Sequence, residues 1–137
     1  MASYMEVKRN YPLILSSSLW LIPGTYVLFY KQSAFSAVIT YAITATSMNY
    51  WWNPTVSNLF YDQVTSHIGC FFYLTNSMLF LPGILLKGLA IGSVVTYYLV
   101  YRHSCHLHQC NNENWVYCHI LFHLLVFSSK WILYLHL

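Results

Sequence analysis

Charge is what this sequence has least of. Its 137 residues include only three Asp/Glu and six Lys/Arg, 7% charged in all, where a soluble domain carries about a quarter. So few charges cannot keep a surface of this size wetted, which excludes a water-soluble globule. Cysteine is scarce too: four residues fall short of a disulfide scaffold. A net charge of +3, scattered over distant positions, makes no basic patch and excludes a nucleic-acid partner. There is no Asn-x-Ser/Thr sequon, prenylation box, myristoylation glycine, internal repeat or low-complexity tract.

Apolar residues fill the space that charge leaves. They make up 58% of the chain, with 19% aromatic, and they predict an all-α integral membrane protein whose first partner is the lipid bilayer. A crossing needs about 20 mostly apolar residues. Five windows qualify, at about 11–30, 33–52, 62–81, 84–101 and 115–137, in a single transmembrane domain spanning 1–137. Asn53-Pro54 stops the second and Pro82-Gly83 the third. Reading the third and fourth windows as one kinked crossing gives four helices, but their combined length is about twice what one crossing requires, so five is the better count. The first apolar stretch, about 20 residues long, exceeds the 7–15 residues of a cleaved signal peptide.

Lys8, Arg9 and Arg102 fall on one side of a five-span arrangement, and Lys31 and Lys87 on the other. Counting positive charges places the N-terminus in the cytosol by three to two. Trp51, Trp52 and Trp115 share that first side, as an interfacial aromatic belt would.

Polar groups inside crossings are functional candidates because inserting them is costly. Asp62 stands at the start of the third window, where a helix dipole alone would also favour a carboxylate. His119 and His123 stand at i and i+4 in the last window, so they share one face and can grip one metal ion or serve as hydrogen-bonded packing residues. Ser47 lies one turn before the second window ends, and serines there are commonly packing residues. Five crossings put all four side chains at similar depth on one side of the membrane.

Ser47, Asp62 fifteen residues later, and His119-x-x-x-His123 in the last helix together resemble the CREST superfamily of multi-pass membrane hydrolases, which includes alkaline ceramidases and the progestin and adipoQ receptors. The run His119-Ile-Leu-Phe-His123-Leu-Leu is similar to that family's His-x-Leu-Phe-His-x-Leu. The resemblance implies zinc held by His119 and His123, with Ser47 and Asp62 assisting a bound water, and hydrolysis of a lipid amide. The chain departs from the family at Trp51, where Ser-x-x-x-His supplies the first ligand; indole nitrogen only donates and binds no zinc. It also has five windows where the family has seven spans. His67, five residues after Asp62, or the Asp62 carboxylate itself could supply a third ligand, since two histidines and a carboxylate form a known zinc set.

Between the fourth and fifth windows, the segment 102–114 reads as a loop with His103, Cys105, His106, His108 and Cys110, followed by Cys118. Thiolates and imidazoles suit zinc or copper, although the spacing matches no structural zinc pattern. The aromatic content exceeds what two interfacial belts need and favours protein and lipid interfaces. Two functions follow. One is a non-catalytic structural or accessory subunit of a larger membrane assembly, such as a virion membrane or an energy-converting complex. The other is a zinc-dependent intramembrane lipid amide hydrolase with its metal at the histidine pair. A channel or transporter has few charges in its spans to work with.

Overall fold

Proline and the polar caps divide the chain into helices. The computed structural model describes residues 9–137; Lys8, used above in counting charge, lies outside them. The Asn10 side chain accepts from the Leu13 N–H at 3.2 Å and opens α1 (Tyr11–Ser18), with Pro12 in its first turn where no N–H is needed. The first expected crossing is not one continuous helix. It breaks at Leu19–Trp20 and resumes as α2 (Leu21–Phe29). Pro23 is the physical reason, since it has no N–H for the Leu19 carbonyl and its ring crowds that group. After α3 (Ala34–Trp52) the chain turns at Asn53-Pro54, and the Thr55 hydroxyl caps α4 (Val56–Phe80) by accepting from the Asn58 N–H at 3.2 Å. Gly83, with φ +72°, makes the sharp turn into α5 (Gly83–Gln109), and α6 (Trp115–Tyr134) completes the bundle.

Two boundaries correct the sequence reading. α4 begins six residues before the expected window, so Asp62 sits in its second turn and not at its start. Val56, Leu59, Phe60 and Tyr61 extend the helix back to the Thr55 cap. The supposed loop at 102–114 is largely helix, with α5 continuing to Gln109. Asn111 then takes φ +55°, the Asn112 N–H donates to Leu107 O and the Asn111 N–H to His108 O, both at 3.0 Å. This paired arrangement is the Schellman stop, in which asparagine can replace the usual glycine.

The bundle is all-α, with α3 and α6 at its centre. α3 packs on α1, α2 and α4, while α6 packs on α1, α2, α4 and α5. Gly69 allows α3 and α4 to close up, because a Cβ there would collide with Ile43 Cδ1. Large apolar side chains point outward: Ile84 is 91% exposed, Leu85 75% and Phe71 73%. Hydroxyls are instead buried, among them Thr40, Thr44, Ser17, Ser47 and Ser77. That inversion of the usual soluble pattern suits a lipid surround. Tyr11–Phe29, Gly83–Gln109 and Trp115–Tyr134 are long and apolar enough to cross a membrane. α3 and α4 match them in length but carry the buried hydroxyls and Asp62, which lowers their apolar character.

Candidate functional site

Helical spacing on α6 sets the His119 and His123 rings 5.0 Å apart, and both are buried. Each ring is held at Nδ1 by serine. Ser16 Oγ lies 2.7 Å from His123 Nδ1, and Ser17 Oγ 3.4 Å from it; Ser104 Oγ lies 3.2 Å from His119 Nδ1. The hydroxyl protons are already directed elsewhere: Ser16 and Ser17 donate to Leu13 O at 3.1 and 2.8 Å, and Ser104 donates to Trp115 O at 3.1 Å. With the protons so directed, the serine oxygens accept from Nδ1–H; with serine donating to Nδ1 instead, the same distances serve the other tautomer.

From His123 a polar layer crosses the bundle. Ser17 Oγ meets Ser47 Oγ at 3.0 Å, and the Asp62 carboxyl group lies on the Ser47 side of this layer. The Asp62 Oδ1 is buried without a hydrogen-bond partner. Side chains from α1, α3, α4 and α6 therefore converge, and the four residues singled out in the sequence (Ser47, Asp62, His119 and His123) stand in one connected layer.

Aromatic rings wall this layer. Trp20 donates from Nε1 to His123 O at 2.9 Å, and its ring centroid lies 5.0 Å from that of His123. Trp51, only 5% exposed, sets its ring 4.9 Å from His119, with Tyr101 at 5.8 Å and Phe122 at 5.4 Å. The Trp51 Nε1 is buried and without a partner. The Trp51 carbonyl accepts from the Asn10 N–H at 3.1 Å, and Arg9 lies 3.9 Å over the neighbouring Trp52 ring.

The donor set does not fit a zinc ion held by three histidines. Beside His119 stands the Trp51 indole, which binds no metal, and among the described residues no three His, Cys, Asp or Glu side chains are gathered closely enough to hold a metal. His67 is not brought in: it lies exposed on α4 and donates to Gln63 O at 2.6 Å.

Of the segment 102–114, Ser104 joins this layer. His103, His106 and Cys110 are exposed, whereas Cys105 and His108 are half-buried, with His108 stacked edge-on to Trp115 at 4.6 Å. Cys110 Sγ lies 3.8 Å from His106 Nε2. Sequence reasoning missed Ser16, Ser17 and Ser104, the partners that orient the histidines. The run Ser16-Ser17-Ser18 in an apolar window was the available signal; Ser104 was hidden in the segment read as a loop. It missed Lys130 as well, which is buried in α6 with its Nζ 4.9 Å over the Trp20 ring and unpartnered. Comparison with protein-family models, curated proteins and solved structures returns no match to this chain.

Proposed function

We propose that this chain is a small multi-pass membrane protein without catalytic activity, a structural or accessory subunit of a larger membrane assembly built on a CREST-like scaffold. Five crossings, with α1 and α2 forming the first and the N-terminus in the cytosol, complete the proposed arrangement. The observation that carries this reading is Trp51. A ring 4.9 Å from His119 fills the place where the family's hydrolases need a third ligand, and the aromatic rings around the pair leave a packed interior. The outer surface supports the subunit role. Only 6% of the most apolar stretch of α5 is buried, and the exposed aromatic and aliphatic side chains on every helix offer partners extensive van der Waals contact, the force that associates helices in lipid.

Two measurements test this. Metal analysis of the detergent-purified Cys110→Ser chain should find no metal that is lost on His119→Ala/His123→Ala substitution. Mild extraction from the native membrane should recover the chain with other membrane subunits. A stable, monodisperse monomer from that membrane would overturn the assembly role.

One observation favours the hydrolase as a second reading. A serine stands against Nδ1 of each imidazole, as outer-sphere partners do at metal-ligating histidines, in a layer that also contains Ser47 and Asp62. Zinc bound at that pair, and lipid-amide cleavage abolished by His119→Ala, would establish it and displace the first.

A further inference from the structure

Outside the buried layer, the end of α5 brings a thiol and an imidazole together on an exposed face. His106 and Cys110 are one helical turn apart, and their Nε2 and Sγ atoms are 3.8 Å from each other. Two ligands on one tetrahedral zinc ion, at bond lengths of about 2.3 Å to sulfur and about 2.0–2.1 Å to nitrogen, lie about 3.6 Å apart. The pair therefore stands within about 0.2 Å of the separation a zinc ion imposes. Its backbone is already fixed: the Cys110 N–H donates to His106 O at 3.0 Å, and the Schellman stop at Asn111 and Asn112 locks the turn that follows. Binding requires no refolding, only small rotations about side-chain bonds.

We propose that His106 and Cys110 form a surface clamp for a zinc-like soft divalent ion. Cys110 loses its thiol proton to solvent and binds as thiolate, and His106 donates the Nε2 lone pair. A tetrahedral ion keeps two further positions, open to water or to a ligand brought by a partner. Cys105 and His108 are half-buried on other faces of the helix, and Cys118 belongs to α6, so none of them joins the clamp. The proposal does not depend on the reading of the His119–His123 layer.

The test uses the full chain in detergent with a non-thiol reductant, titrated with cobalt(II) as a spectroscopic stand-in for zinc. Wild type should develop a thiolate-to-cobalt charge-transfer band that zinc then abolishes. Cys110→Ser should remove the band, and His106→Ala should weaken cobalt binding at least tenfold; both positions are exposed, so helicity should be unchanged. Cys110→His should keep an ion at the clamp while losing the charge-transfer band, as a two-imidazole clamp does. Cys105→Ser and Cys118→Ser should bind as wild type does. No band in wild type, a band that survives Cys110→Ser, or one that disappears with Cys105 or Cys118 would overturn the proposal.

Discussion

Exchanging Trp51 for histidine asks whether one indole ring separates this interior from a metal site. The ring is 5% exposed and packs 4.9 Å from His119, 4.6 Å from Tyr50 and 6.0 Å from Trp115. Truncating a buried tryptophan to alanine costs about 3–5 kcal/mol. Trp51→His keeps an aromatic ring and gives up about half of that packing, or about 2 kcal/mol. No part of this returns, because the imidazole brings its own ring nitrogens to a place where the Trp51 Nε1 already lacks a partner. The metal-free variant should be about 2 kcal/mol less stable and melt about 8 °C lower in a chain of this size. An ion held by the new imidazole together with His119 and His123 would restore about 2.7 kcal/mol at a hundredfold excess over its Kd, raising the melting temperature above that of the parent. Thermal unfolding followed by circular dichroism in detergent, with and without zinc, reads both shifts; a Cys110→Ser background removes the surface clamp. Identical melting of Trp51→His with and without zinc would refute the reasoning, as would equal zinc stabilisation of the parent.

Three further outcomes follow from the packing. Ser16→Ala removes the closest partner of His123 Nδ1, at 2.7 Å, and should cost about 1–3 kcal/mol by leaving a buried ring nitrogen poorly satisfied; Ser16→Thr, which keeps the hydroxyl, should melt near wild type. Gly69→Ala drives a methyl into Ile43 and should cost about 1–3 kcal/mol as overpacking, with the double change Gly69→Ala/Ile43→Ala recovering part of it in the same melting assay. Lys130→Met keeps the stem but removes the buried amine nitrogen that has no hydrogen-bond partner. Because an unsatisfied buried polar group costs about 1–3 kcal/mol, the variant should be more stable by about 1 kcal/mol or more, and a lower melting temperature would show that the contact with the Trp20 ring holds the amine in place.

The polar layer was only half legible. His119 and His123 announced themselves because i, i+4 spacing places them on one face whatever surrounds the helix, and Asp62 because a carboxylate in an apolar stretch needs a reason. Ser16, Ser17 and Ser104 gave no such sign. A hydroxyl in a membrane helix can return its proton to its own backbone, as Ser17 does to Leu13 O, so its presence does not reveal whether an imidazole faces it. The loop reading of 102–114 failed for a related reason: His, Cys and Gln look polar and irregular by composition, yet nothing in them breaks a helix before Asn111 adopts a positive φ.

The apolar composition and the positions of Pro54, Pro82 and Gly83 determined by themselves that this chain is all-helical and where two of its helices break, because those effects act within a few residues along the backbone. Which faces meet, and so whether Ser47, Asp62 and the histidines share one layer, was decided only by the packing of α1, α3, α4 and α6. The same packing decided that Trp51 is buried against the His119 ring. Contacts such as Ser16 with His123 join residues 107 apart in the chain, and helical periodicity fixes the direction of a side chain on its own helix without fixing what stands opposite.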